Sequence, residues 1–250
     1  MSIVFYYYLL CILIPRLFYQ WQEEKSVGLK KHIIIFLVEV LLLFPLISGV
    51  SIIVLLVLMI IYHFSIFLLE RIFKNIFIRR IIEIILIIII SSFVFGTILE
   101  NLEFNTVSVK ITNIIMNNNA ILQNWDMVAI KKSVFYFFGI IMLINEWNNL
   151  IRFILGLIKI EPHQENIKEA DRKELGKGKI IGIIERILFF FFVITGNYAS
   201  IGFILTAKGI TRFKNLDNRD FAEYVLIGTL LSSAISIFWA YIIKQGMISI

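Results

Sequence analysis

A carboxylate set in the middle of an apolar helix is the group in this chain with the most chemistry available to it. Glu39 lies inside the run Ile33–Phe44, where a charge at helix centre costs roughly 2.5 to 3.5 kcal/mol on membrane-insertion scales. A carboxylate retained at that cost either binds a proton or cation or is tied to a neighbouring helix, and both readings stay open. A second group, Asn145, Glu146, Asn148, Asn149 and Arg152 with Trp147 among them, crowds polar atoms around one stretch of helix. Glu146 and Asn149 share one face, and Asn145, Asn148 and Arg152 another, at spacings where side chains along a helix meet. Such a group lines an aqueous path, or else marks where a membrane interface begins, with Trp147 at headgroup level and Arg152 snorkelling outward.

Glu185 and Arg186 form a third group. Successive helical side chains point in different directions, so neither neutralises the other well and each requires a partner elsewhere. Arg152 is one candidate for Glu185. Lys208 or Arg212 reaches Glu185, and Glu223 reaches Arg186, only if residues 183–206 double back at Gly196-Asn197. A structural clamp is expected of this cluster rather than catalysis. His32 and His63 fall near the ends of two antiparallel helices and, with Glu70 and Glu83, would be the side chains of a membrane hydrolase. Two histidines without a well-placed carboxylate make a poor metal site, and helix-end hydrogen bonding is the plainer role. Cys11 is the one cysteine of the chain, which excludes a disulfide framework and a multi-cysteine metal site. No phosphate loop, nucleophile elbow or His-Glu-x-x-His spacing occurs. No catalytic residue, metal or cofactor is assigned.

The elements that must position these groups are apolar helices. Of 250 residues, 59% are hydrophobic, and the mean hydropathy is +0.88. Apolar segments at about 3–19, 32–48, 50–69, 81–99, 133–156, 183–206 and 224–243 approach the roughly 20 residues a helix needs to cross a bilayer. The expected fold is therefore all-α, one polytopic membrane bundle over 1–250 with about six or seven transmembrane or re-entrant helices. Residues 1–19 lack the basic start and cleavage site of a secretory signal and are expected to stay as a helix. Pro45 and Gly49 break the long run 33–69 into a helical hairpin. Residues 100–132 are polar and Asn-rich, suiting an interfacial loop or surface helix, and 157–179 is a charged cytoplasmic linker.

The net charge of +6 points to headgroups and orientation rather than nucleic acid, because Lys and Arg gather in short loops beside apolar runs. Lys25, Lys30, Lys31 and then Arg71, Lys74, Arg79 and Arg80 put two loops in the cytoplasm and the N-terminus outside. Counting onward places Lys208, Arg212, Lys214 and Arg219 outside, a conflict that the doubling-back of 183–206 removes. Gly228, Ser232 and Ser236, with Gly202 and Thr206 before them, repeat small residues every four positions, which lets membrane helices approach closely in one protomer or between two. The Ile and Asn runs look like the coding bias of an AT-rich bacterial genome, and the bacterial inner membrane is the expected location.

The C-terminal part, with Gly178, Gly182, Glu185-Arg186, Gly202, Lys208, Arg212-Phe213, Glu223, Gly228-Thr229 and Ser232, resembles the tail of the bacterial multi-pass membrane family catalogued as domain of unknown function 3307. More faintly, Arg16-Leu17-Phe18-Tyr19-Gln20, Trp21 to Lys25, His32 and His63 resemble its N-terminal part. Departures are found at Arg16, where the family pattern is acidic, at Phe67, where His-x-x-x-Asp ends in Asp, and over Arg79 to Glu83, where Asp-Gln-x-x-His stands. The resemblance implies the membrane fold; the family has no settled activity, and if its members are enzymes, the lost acidic and His groups imply that this chain is not one. The expectation is thus a non-enzymatic helical bundle, homo-oligomeric or bound to a membrane partner. Its Glu39 and Asn145–Arg152 groups would form an ion or small-solute path, as in a channel-like effector or transport component. A hydrolase built on His32, His63, Glu70 and Glu83, and a scaffold binding through 157–179, are the alternatives.

Overall fold

The computed structural model describes residues 3–21, 29–49, 51–119, 126–157, 169–212 and 219–248, and these residues are all-helical apart from turns. Ten α-helices follow in order: α1 Ile3–Trp21, α2 Leu29–Leu42, α3 Ser51–Ile72, α4 Ile76–Thr97, α5 Thr106–Asn118, α6 Met127–Ile144, α7 Glu146–Leu157, α8 Glu169–Thr195, α9 Tyr198–Arg212 and α10 Arg219–Ile248. Three helical stretches are long and apolar enough to cross a membrane: Ser51–Ile72, Val128–Leu157 and Leu226–Met247. The chain divides into two compact units, residues 1–141 and 142–249.

In the first unit α1 is apolar on every side, and that pattern belongs to a helix sheathed by others. Val4, Phe5 and the whole run Tyr8–Leu13 are buried. Phe5 and Tyr8 meet Phe95 of α4 edge-on or tilted, and Tyr6 meets Phe135 and Phe138 of α6. The sheathing helices turn apolar side chains outward instead: Ile33, Ile34, Leu37 and Leu41 on α2, Ile53, Ile60 and Phe64 on α3, Ile85, Ile89 and Phe93 on α4 are all exposed. Apolar side chains thus face outward as well as inward, a surface that water penalises and lipid accepts. Between α2 and α3 the chain turns through a 3-10 segment, Phe44–Leu46, that opens on Pro45, and Gly49 takes φ +49°. Asn75 caps α4 by accepting from the Phe77 and Ile78 amides. Asn105 caps α5 through Ser108 N and donates back to the Phe44 carbonyl at 2.7 Å, tying the start of α5 to the α2–α3 turn. Helix α5 buries no side chain, so within 100–132 the surface-helix alternative holds over Thr106–Asn118.

In the second unit α8 and α10 form the main helix pair, with α7 against α10 and α9 against α8. Ser233, Ser236, Ala240 and Ile243 are the buried side of α10. One expected segment is corrected, and another holds with a break in it. Residues 133–156 lie within Val128–Leu157, one of the stretches of membrane-spanning length, which is built of two helices, α6 and α7, with a turn at Asn145 between them. Residues 183–206 are likewise two, because α8 ends at Thr195, Gly196 takes φ +76°, and α9 starts at Tyr198. Only a residue without Cβ adopts such a φ at little cost, so the reversal is placed by the glycine. The charged stretch 157–179 is not linker throughout: residues 158–168 lie outside the described residues, and from Glu169 onward the backbone is helical.

Candidate functional site

Each unit holds its own set of buried polar side chains. In the first, α2 presents Glu39 with none of its surface exposed. The hairpin at Pro45–Gly49 brings α3 back beside it, so that His63 Nε2 lies 2.8 Å from Glu39 Oε2. The other oxygen, Glu39 Oε1, is buried without a hydrogen-bond partner. His63 is also edge-on to Tyr62, Phe36 and His32, the two histidine rings lying 6.2 Å apart between centroids. A carboxylate and an imidazole at this distance share a proton, and the imidazole's second nitrogen permits transfer onward.

Beside this pair runs a network of ionised groups. Arg16 of α1 donates to Tyr62 Oη at 2.7 Å and to Glu83 Oε2 at 3.1 Å. Glu83 in turn lies 3.6 Å from Arg79 Nε, one turn away on α4, and Arg79 reaches Glu70 of α3 at 3.4 Å. Arg16, Arg79 and Glu83 are all buried. Alternating signs let each charge offset the desolvation of the next, which an isolated ion at this depth lacks. Glu70 and Glu83 thus each lie within ion-pair reach of a guanidinium. Among the described residues no three His, Cys, Asp or Glu side chains are placed to share an ion. Arg16 and Tyr62 escape a reading by sequence. Arg16 sits toward the end of α1, where an arginine reads as an interfacial residue, and Tyr62 sits mid-way along the apolar α3, where a tyrosine reads as core.

In the second unit Asn145, Glu146, Asn148 and Asn149 are buried. The Trp147 ring packs on Trp239 of α10 at 5.4 Å. Asn145 Nδ2 donates to Glu146 Oε1 at 2.8 Å, and Arg152 is half-buried. The α8–α9 reversal decides the next cluster. It lays Lys208 beside Glu185, whose carboxylate accepts from the ammonium, and Arg152 is therefore not the group that takes Glu185. Arg186, buried, donates through Nη2 to Asn148 Oδ1 at 2.9 Å and through Nη1 to Ser232 Oγ at 3.3 Å. Its partner is accordingly not Glu223, which is exposed. The Arg212 side chain lies outside the described residues. Of the expected packing glycines, Gly228 lies against α7, where an added Cβ would meet Leu155 in ordinary contact at 3.8 Å. Gly202 is exposed, and a Cβ there would meet nothing within 4 Å. Ser236 of the expected repeat is buried, joined on α10 by Ser233 and Ala240.

No family model, curated protein or solved structure matches this chain.

Proposed function

We propose that this chain is a multi-pass protein of the bacterial inner membrane, non-enzymatic, in which the Glu39–His63 pair is the proton- or cation-binding step of an ion path. The observation that carries this reading is the half-satisfied carboxylate. Glu39 is wholly buried, with one oxygen on His63 and the other unpartnered. A purely structural glutamate would have both oxygens occupied, since leaving one buried acceptor empty costs about 1 to 3 kcal/mol. His63 retains some exposure, 15% of its side chain, and gives the buried carboxylate a route outward.

The charge distribution supports a topology. With the chain turning at Gly196, α8 and α9 form a hairpin whose ends lie on one side, so Lys208, Arg212, Lys214 and Arg219 join the other basic loops in the cytoplasm and the N-terminus faces outward. Glu185–Lys208 is the pair expected of that hairpin. The exposed small-residue face of α9 around Gly202 suits packing against a second copy or another membrane protein.

The test is proton flux into liposomes containing the purified protein, driven by a potassium-valinomycin potential and read with an internal pH dye. Native protein should conduct, and Glu39→Gln should fall to the rate of empty liposomes. A Glu39→Gln variant that folds and conducts like the native protein would rule the pair out as the binding step. The same assay on an Asn145→Leu, Asn149→Leu variant tests whether the second polar group takes part.

A further inference from the structure

Arg186 is a buried cation whose hydrogen bonds go to neutral groups. Its side chain is 4% exposed, yet its partners are an amide oxygen, Asn148 Oδ1, and a hydroxyl, Ser232 Oγ. Its sequence neighbour Glu185 spends its carboxylate on Lys208. Besides Glu185, the charge acting on Arg186 is that of Arg152, which has the same sign. Glu146, the other acid of the cluster, accepts from Asn145. An ion of one sign taken out of water without a counter-charge costs several kcal/mol, and proteins ordinarily supply the missing charge. Arg186 Nε is left with no hydrogen-bond partner, so one edge of the guanidinium still offers donors. That edge has the fork geometry that matches two oxygens of an oxyanion.

Gly182 stands one turn before Arg186 on α8, and a Cβ placed on it would touch only Arg186 Nη1, at 3.6 Å, while one on Gly178, a further turn back, would meet nothing within 4 Å. No side chain from these two positions covers the Nη1 side of the buried guanidinium. Any larger residue at 182 would lie against it.

We propose that Arg186, held in place by Asn148 and Ser232, is a binding site for a phosphate oxyanion, supplied either by an anionic lipid headgroup or by dissolved phosphate. The anion adds negative charge where, among the described residues, Glu185 supplies the attractive charge on Arg186 and is itself bonded to Lys208. The site is independent of the Glu39–His63 path and stands or falls without it.

The experiment uses the full-length protein in phosphatidylcholine nanodiscs, with phosphatidylglycerol added to the disc in one arm and inorganic phosphate to the buffer in the other. Thermal unfolding and phosphorus NMR are read in both. The expected result is a saturable rise in the unfolding midpoint together with an immobilised phosphorus signal, in the lipid arm if the source is a headgroup and in the buffer arm if it is the free ion. Gly182→Leu, which fills the approach without removing charge, should weaken that response about tenfold or more, as losing a charge-assisted hydrogen bond does, and Arg186→Gln should abolish it. Whichever of the two variants folds decides the matter. No response of the native protein to either probe, or an equal response in native and variant proteins, overturns the proposal.

Discussion

Arg16 and Glu83 meet across 67 positions of sequence at 3.1 Å, both nearly inaccessible. Breaking a buried pair by removing one member leaves the other charge stranded, which costs about 3 to 5 kcal/mol, whereas replacing both by apolar groups of similar volume is close to neutral. Glu83→Gln should therefore lower stability by about that amount in unfolding measured in lipid micelles, and Arg16→Met with Glu83→Met should recover most of it, Arg79 keeping Glu70. A double variant as unstable as the single one would show that the charges, rather than their balance, hold this corner. His63→Phe removes the hydrogen-bond partner that Glu39 has among the described residues, and a destabilisation of about 1 to 3 kcal/mol is expected from the stranded acceptor. Adding Glu39→Leu to His63→Phe should relieve it. At this scale Glu39 was legible, because a charge in an apolar run stands out whatever the fold. The roles of Arg16 and Tyr62, and the pairing of Asn148 with Arg186, were not, since each acquires its meaning from a partner on another helix.

The helices themselves were largely readable, and so were the turns that contain a proline or a glycine. Pro45, Gly49 and Gly196 each mark a reversal that the backbone makes. Gly196→Ala should destabilise the α8–α9 hairpin by about 1 kcal/mol, the cost of placing a Cβ at positive φ, and Gly196→Asn should be milder. Circular dichroism melting of the two variants compares them directly. Charge exchange tests the same hairpin from its open end. Glu185→Lys or Lys208→Glu alone sets like charges side by side, and the double exchange should restore stability if the two residues pair as Glu185 and Lys208 do. The break at Asn145 carries no such signal. Helical residues flank it on both sides, the Asn149 amide still bonds the Asn145 carbonyl at 3.1 Å, and an asparagine inside an apolar stretch is as compatible with a continuous helix as with a turn.

For the whole chain, sidedness is the property that separates the readings. In a Cys11→Ser background, a single cysteine at Asn119 should label from outside with a membrane-impermeant maleimide, and one at Asn218 should label only after permeabilisation. External labelling of both would mean that residues 183–206 cross once, against the hairpin. The chain by itself determined its class: apolar runs of bilayer length form helices because the backbone must satisfy its own hydrogen bonds in lipid, and hydrophobicity and turn residues are local properties that any fold inherits. Only the tertiary structure decided which buried polar groups meet. Arg186 finds Asn148 at a separation of 38 positions and Ser232 at 46, and Arg16 finds Tyr62 rather than an interface. Such pairings depend on how each helix is rotated about its axis and where it crosses its neighbours. Those settings come from packing summed over whole helix faces, and no short stretch of residues contains them.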